Sequence, residues 1–281
     1  MLLMTTTGCT FANHYVFSTR TESAAAAPNC TLPFEEIWFR STDGVLLNGR
    51  FFEGTPGSPL ILFFHGNSSN LDDNLEYLKL LHGHGFAIFI FDYRGYGKSH
   101  GEPLYENDLY QDARGAIAYL DGRGLRHEQT IYFGQSLGAA VALQMAQEEP
   151  PAGLAMESSF TNLSDIVRHY VPVVYFMIGW SMKLGMDLRF DSLAKIGDVN
   201  VPLLLIHGDN DQVAPVEMAR RLFARASEPK MLQIMSGGKH CDASTLNIAQ
   251  YLASWDRFIS APSVRVRLEN PAPMLAARGG T

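Results

Sequence analysis

The sequence predicts an α/β fold in which helices cover both faces of a mostly parallel sheet. Mainly apolar runs of strand length recur along the chain, at 59–64, 86–91, 130–133, 154–157, 203–206 and 231–235. Unbroken apolar runs are typical of strands that are buried on both faces. Segments with helical spacing separate these runs, and such repetition indicates parallel strands joined by crossover helices.

The elements follow one another in a regular order. Residues 36–40 and 45–52 flank the turn pair Asp43-Gly44, which predicts a hairpin ahead of the parallel strands. Apolar residues at helical spacing, such as Leu75, Leu78 and Leu81, predict the helices that follow. These predicted helices span 74–82, 109–120, 137–147, 215–226 and 248–259.

Composition limits the classes of protein to consider. The chain has 281 residues, of which 46% are hydrophobic and 18% charged, enough for one large domain or two small ones. The net charge is −7 and no basic run with interleaved aromatic residues occurs, so nucleic-acid binding is not indicated. Cys9, Cys30 and Cys241 form no C-x-x-C pair, which argues against a zinc site. Cys30 and Cys241 can pair in an oxidising compartment, and the alternative is two unpaired thiols.

The two ends of the chain are expected to lie outside the folded domain. Residues 1–9 end in Gly8-Cys9 after a short apolar start and resemble the end of a bacterial lipoprotein signal. That resemblance implies a membrane-attached protein with a lipidated Cys9, and the alternative is a cytoplasmic protein with an ordinary cysteine. We expect residues 10–35 to form a tether and residues 36–260 to form the folded domain. Residues 261–281 contain several Pro and Gly residues, and we expect them to form a flexible tail.

One segment interrupts the alternation of strands and helices. Residues 170–182 are apolar, aromatic and rich in Met, inside an insertion at about 160–195. The segment is too short to span a bilayer, and Pro172 and Lys183 weaken that interpretation further. It predicts a small helical cap over the carboxyl edge of the sheet, and a helix packed in the core is the alternative.

A serine lies in the turn between a predicted strand and a predicted helix. Gly134-Gln135-Ser136-Leu137-Gly138 follows the strand at 130–133 and opens the next helix. A sharp turn there needs small flanking residues and lifts the hydroxyl of Ser136 out of the sheet. The helix N-terminus presents N–H groups to negative charge that develops beside the serine. The pattern therefore indicates a nucleophile.

A serine nucleophile needs a base and an acid that orients the base. In folds with this turn, the acid and then a histidine follow the serine along the chain. Asp209 and Asp211 both follow the strand at 203–206, and His240 follows the strand at 231–235. Upstream, the strand at 59–64 ends in the sequence HGNSSN, where Asn67 is the candidate donor of one oxyanion N–H, beside that of Leu137. Two further histidines directly follow buried strands and are expected to orient loops; these are His65 and His207.

Five motifs together resemble the Bem46-type α/β hydrolases, which are similar to the eukaryotic membrane-bound hydrolases that depalmitoylate proteins. They are HGNSSN, DYRGYGKS, GQSLG, HGDNDQVAP and GGKH, in that order, and the likeness covers roughly residues 35–260. In the family pattern H-G-x-x-D-x-x-x-P the acid falls on Asp211 and a variable position on Asp209. The resemblance implies an α/β-hydrolase fold with Ser136, Asp211 and His240 as the triad.

This interpretation predicts a serine esterase or thioesterase that acts on small-molecule acyl substrates without metal or organic cofactor. The serine at position 136 argues against dehalogenase and epoxide hydrolase chemistry, which uses an acidic nucleophile at this turn. Two alternatives remain. One is a serine peptidase acting on small peptides, and the other is a catalytically idle binding protein at a membrane, because fold alone does not prove activity.

Overall fold

Eight strands form one sheet in the computed structural model, which describes residues 17–19, 32–170 and 189–269. The strands are β1 Glu35–Arg40, β2 Leu46–Phe52, β3 Leu60–Phe64, β4 Ala87–Phe91, β5 Thr130–Gln135, β6 Gly153–Glu157, β7 Leu203–Gly208 and β8 Lys230–Met235. Their order across the sheet is β1-β2-β4-β3-β5-β6-β7-β8. β2 is antiparallel to both β1 and β4, and all other neighbours are parallel. The predicted fold class is confirmed.

Five helices lie at the positions that the apolar spacing predicted, with bounds that differ by a few residues: α1 Leu75–Gly83, α2 Glu106–Gly122, α3 Leu137–Glu148, α6 Val216–Arg225 and α8 Ile248–Ser260. The described residues also form α4 Leu163–Tyr170, α5 Ser192–Lys195, α7 Ala243–Leu246 and α9 Pro262–Glu269, which the spacing did not predict. The predicted hairpin is formed by β1 and β2, and Gly44 in its turn has φ of 93°, a conformation that glycine adopts without strain.

The core lies on both faces of the sheet. Successive residues of a strand point to opposite faces, so Phe63 and Phe64 belong to two separate clusters of buried side chains. Trp255 of α8 packs with Phe133 on the face of Phe63, at 5.2 Å between ring centroids. Tyr132 packs on Phe64 on the other face, at 5.6 Å. Because these strands are buried on both faces, their sequences are nearly continuous apolar runs.

Two segments outside the central domain pack more closely than the sequence predicts. Residues 262–269 form α9, with Val264 fully buried, where a flexible tail is expected. In the predicted tether, Phe17 is buried and its ring meets that of Phe190 edge to face, with centroids 6.4 Å apart. Each segment is attached by a buried apolar side chain together with hydrogen bonds to distant residues, and sequence spacing does not reveal such contacts.

Three predictions fall mainly or wholly on residues outside the described ranges. They are the cap between Tyr170 and Met186, the lipidation of Cys9 and the pairing of Cys30 with Cys241. Among the helices of the described ranges, none combines the length and the hydrophobicity needed to cross a membrane.

Candidate active site

Ser136 occupies a strained turn between β5 and α3. Its φ of 51° and ψ of −113° are unusual for a residue with a side chain, and such strain persists only where the surroundings enforce it. A Cβ at Gly138 would lie 2.0 Å from the carbonyl oxygen of Phe64, and one at Gly134 would lie 2.3 Å from that of Gly138. Glycine is therefore required on both sides of the serine, as the sequence pattern indicated.

The imidazole of His240 lies between Ser136 and Asp211. Its Nε2 is 3.0 Å from Ser136 Oγ, and its Nδ1 is 2.8 Å from Asp211 Oδ2. These three side chains come from turns that follow β5, β7 and β8, and parallel strands end at the same edge of the sheet. The structure thus brings together the three residues that the sequence singled out. The arrangement can pass a proton from a hydroxyl to an imidazole whose other nitrogen faces a carboxylate.

Asp211 is held as a carboxylate. Its Oδ1 accepts hydrogen bonds from the backbone N–H groups of Val213 and Ala214, at 2.8 and 2.9 Å. Burial opposes ionisation of this side chain, but the hydrogen bonds from His240 and the Ala214 N–H keep the pKa of Asp211 below its ordinary value. A buried negative charge beside the ring stabilises the protonated form of His240.

Asp209, the other candidate acid, bonds to the backbone of the loop that carries His240. It is exposed, and its Oδ1 accepts the backbone N–H of Gly237 at 2.6 Å. Asp209 therefore connects the loop after β7 with the loop after β8. Its contact is a structural one.

His207 is buried and lies behind Asp211. Its Nε2 is 2.7 Å from the carbonyl oxygen of Ala214 and 3.4 Å from Asp211 Oδ2. Burial lowers the pKa of His207, which favours a neutral ring that donates its Nε2 proton to Ala214. The side chain fixes the loop that carries Asp211, in agreement with the role expected from the sequence.

Loop 65–70 brings Asn67 towards the serine. A Cβ at Gly66 would lie 3.6 Å from Ser136 Cβ, so the backbone here passes close to the nucleophile. The Oδ1 of Asn67 accepts hydrogen bonds from the Tyr96 hydroxyl at 2.7 Å and from the Ser18 N–H at 3.0 Å. Leu137, the other predicted donor, is the first residue of α3, where N–H groups have no partner within the helix.

The sequence did not reveal the two residues that hold Asn67. Tyr96 belongs to the motif DYRGYGKS, whose position after β4 was the only available signal, and Ser18 belongs to the predicted tether. Both contacts join residues that are far apart in the chain, with separations of 29 and 49 positions. Only the tertiary structure brings such residues together.

His65 and Asp92 anchor the two ends of the same loop. The buried ring of His65 donates from Nδ1 to the Gly66 carbonyl at 2.8 Å, and burial lowers the pKa of His65 to about 4. Asp92 accepts the Leu71 N–H at 2.7 Å, and burial raises the pKa of Asp92 to about 7. His65 is therefore neutral near pH 7 and orients the loop, as the sequence suggested.

Comparison with known proteins identifies the family. The chain is 30% identical over 209 residues to the α/β hydrolase domain-containing protein WAV2 of Arabidopsis thaliana, covering 70% of this chain and 68% of that protein. This chain belongs to the α/β-hydrolase family. The family described as serine aminopeptidase, S33, matches this α/β hydrolase over residues 56–194.

Two further similarities extend that result. The chain is 29% identical over 188 residues to the lysophosphatidylserine lipase ABHD12 of Danio rerio, covering 62% of this α/β hydrolase and 49% of that protein. The Pyrococcus furiosus esterase Pf2001 has a similar structure, with a TM-score of 0.70 at 17% identity over 86% of this chain and 95% of that chain. At that identity the structural likeness concerns the fold.

In the part of the chain that the structure describes, acidic, histidine and cysteine side chains do not gather into a candidate metal site. Within residues 17–19, 32–170 and 189–269, no three of them come close enough to hold an ion. His240 Nε2 lies within hydrogen-bond distance of Ser136 Oγ, and the backbone of loop 65–70 passes close to Ser136. An imidazole in this position can act as an acid or a base.

Proposed function

We propose that this α/β hydrolase is a serine hydrolase that cleaves carboxylic ester or thioester bonds of small molecules through an acyl-enzyme. The observation that carries the proposal is the hydrogen-bonded series from Ser136 Oγ through His240 to Asp211, at 3.0 and 2.8 Å. A serine, an imidazole and a carboxylate in this order and geometry support the proposal, because acyl transfer needs a nucleophile, a base and an acid that orients the base.

In the first half of the reaction Ser136 Oγ attacks the acyl carbonyl carbon while His240 Nε2 takes the hydroxyl proton. The tetrahedral intermediate then collapses, and His240 gives that proton to the leaving alcohol or thiol. In the second half, water attacks the acyl-enzyme with His240 again as the base. The acid is released and Ser136 recovers its proton.

Negative charge develops on the substrate oxygen in both halves. The backbone N–H groups of Leu137 and Asn67 are the proposed donors to that oxygen, and the first turn of α3 adds its positive dipole end. The bonds that the Asn67 side chain accepts from Tyr96 and Ser18 support this role, because they hold loop 65–70 in place before substrate arrives.

The relatives favour an ester over a peptide. ABHD12 is described as a lysophosphatidylserine lipase and Pf2001 as an esterase, and both names refer to ester cleavage. The matched family is described as serine aminopeptidase, so cleavage of small peptides is the second candidate. An idle binding protein has no need of a strained Ser136 within hydrogen-bond distance of His240.

We propose in addition that the protein is attached to a membrane through a lipid on Cys9. Support comes from the Gly8-Cys9 ending of the apolar start and from the tether-like composition that follows it. A lipid anchor on such a tether would keep the domain at the surface of the membrane.

Reaction with a fluorophosphonate probe, together with a series of p-nitrophenyl esters, tests the proposed function. The purified protein should react with the probe at Ser136 and hydrolyse the esters, with a thioester and an aminoacyl-peptide substrate assayed beside them. Ser136→Ala should abolish labelling and lower kcat on the order of 10⁴- to 10⁶-fold. Ser260→Ala changes an exposed serine at the end of α8 and is the matched control. A wild-type protein that neither reacts with the probe nor hydrolyses any ester would rule the proposal out.

A further inference from the structure

Glu157 is a fully buried carboxyl group that has no role in the proposed reaction steps. It is the last residue of β6, the strand next to the one that carries Ser136. Its Oε1 lies 2.7 Å from the Tyr77 hydroxyl, and its Oε2 lies 3.3 Å from Gln135 Nε2 and 3.4 Å from the Tyr251 hydroxyl. None of these partners carries a positive charge, which is unusual for a buried acid.

The Tyr77 hydroxyl connects this carboxyl group to the residue after the proposed base. It lies 2.8 Å from the carbonyl oxygen of Cys241, which directly follows His240. A hydroxyl has one proton, so Tyr77 can donate either to Cys241 or to Glu157, but not to both. Both short contacts are satisfied when Glu157 is protonated, because it then donates to Tyr77 while Tyr77 donates to the Cys241 carbonyl.

The residues around Glu157 favour the protonated form. Burial raises the pKa of Glu157 to about 7. Hydrogen bonds from three side chains and from the Ala243 backbone N–H act in the other direction, and the side chains are those of Tyr77, Gln135 and Tyr251. The other titratable groups that face it are Tyr77 on α1, Tyr251 on α8 and Cys241, and burial raises the pKa of each of them. These three groups are neutral at pH 7, so Glu157 is the member of the cluster that titrates near neutrality.

Glu157 and its neighbour contact the backbone of Ser136 and of Cys241, the residue after His240. The backbone carbonyl of Glu157 accepts the Ser136 N–H at 2.9 Å, and Ser158 Oγ accepts the Cys241 N–H at 2.9 Å. Ser158 and Cys241 both have positive φ, at 49° and 53°, so neither turn is the relaxed conformation of its residue. The hydrogen bonds of Glu157 and Ser158 therefore hold the backbone at Ser136 and at Cys241, next to His240.

We infer that protonated Glu157 is a positioning residue, which acts through Tyr77 on the Cys241 carbonyl and so keeps the imidazole of His240 over Ser136. This role rests on the proposed serine hydrolase reaction. When Glu157 loses its proton, the carboxylate takes the hydrogen bond from Tyr77, and the Cys241 carbonyl loses its donor. The loop of His240 is then less well held, so kcat falls as the pH rises through about 7.

Three variants test this role by steady-state hydrolysis of p-nitrophenyl acetate between pH 5.5 and 9. Tyr77→Phe removes the connecting hydroxyl and should lower kcat about tenfold at pH 6 with little change in KM, since one hydrogen bond to the loop is lost. Glu157→Ala removes the group that holds the Tyr77 hydroxyl in place but leaves that hydroxyl free to donate to the Cys241 carbonyl, so it should lower kcat by less than Tyr77→Phe does. Glu157→Gln keeps a donor towards Tyr77 and should recover most of the kcat that Glu157→Ala loses. It should also lack the decline above pH 7, because an amide does not titrate.

Thermal melts and labelling with a fluorophosphonate separate the possible failures. Tyr119→Phe removes a hydroxyl that bonds to Arg123 and serves as the control for a lost phenol. If the wild type neither reacts with the probe nor turns over, the proposed function fails. If the wild type is active, the role of Glu157 is overturned by a Tyr77→Phe kcat equal to that of the wild type. A decline above pH 7 that persists unchanged in Glu157→Gln overturns it as well.

Discussion

Replacing Asp211 with Asn should damage the reaction by reversing the hydrogen bond to His240. Oδ1 of Asp211 accepts two backbone N–H bonds, from Val213 and Ala214, at 2.8 and 2.9 Å. The carbonyl oxygen of the new amide has to take this place, so the amide NH₂ faces His240 Nδ1. Because Nδ1 must then accept, the ring proton moves to Nε2, 3.0 Å from the Ser136 hydroxyl. A protonated Nε2 cannot act as the base.

The backbone donors set the size of this effect. Rotating the amide to restore the productive tautomer turns its NH₂ towards two N–H groups and leaves both without an acceptor. Each unsatisfied buried donor costs about 1–3 kcal/mol, so the rotation costs about 2–6 kcal/mol. At about 1.36 kcal/mol for each factor of ten in rate, kcat for Asp211→Asn should fall roughly 10²- to 10⁴-fold. The loss of the negative charge beside the imidazolium acts in the same direction.

The assay is steady-state ester hydrolysis, with Asp209→Asn as the matched control two residues away. The amide oxygen that Asp209→Asn introduces can still accept the Gly237 N–H, so this variant should stay within about threefold of the wild-type kcat. Melting temperatures show whether each variant is folded. The reasoning is refuted if Asp211→Asn keeps more than a tenth of the wild-type kcat, or if Asp209→Asn is the more damaging of the two.

Three other predictions address the membrane, the cap and stability. Full-length protein expressed in a bacterium should sediment with membranes and Cys9→Ser should release it; a soluble wild type, or a variant that still sediments, argues against the anchor. Phe176→Ala or Trp180→Ala, in the predicted cap, should change the ratio of kcat/KM between short and medium acyl esters while sparing acetate. If this segment is instead a core helix, stability should drop by roughly 3–5 kcal/mol with all substrates affected alike. The folded state raises the pKa of Glu157 from 4.5 to about 7, so wild-type stability should fall as the pH rises through that interval. Between pH 5 and 8 the stability of Glu157→Gln in urea titrations should fall by about 2–3 kcal/mol less than that of the wild type, because Asp92 and the other titratable groups respond alike in both proteins. An equal pH dependence in both proteins would contradict the assigned protonation.

The turn around Ser136 shows how much of the site could be predicted from the sequence. A side chain at either glycine would clash with the backbone, either within a few residues of the serine or in the neighbouring strand β3. The pattern of glycines around the serine is therefore enough to predict the turn. The choice between Asp209 and Asp211 was different. Spacing after β7 left both open, and the family pattern favoured Asp211, whose carboxylate lies 2.8 Å from His240 Nδ1 in the structure.

Glu157 had no signal in the sequence. A glutamate at the end of a strand is usually expected at the surface, and its neighbours in the chain do not indicate otherwise. It is buried because α1 and α8 bring Tyr77 and Tyr251 over it, from positions 80 and 94 residues away. Its protonation state follows from that burial and is therefore a property of the packing.

The sequence by itself determined the α/β class, the order of strands and helices, and the strained turn that presents Ser136. Those features depend on apolar spacing and on backbone preferences over a few residues. The tertiary structure alone decided that β4 lies between β2 and β3, that Tyr96 and Ser18 hold Asn67, and that Tyr77 joins Glu157 to the Cys241 carbonyl. Contacts between residues far apart in the chain form only when the helices pack on the two faces of the sheet. The burial that results shifts the pKa values of the enclosed side chains and so determines whether they are charged.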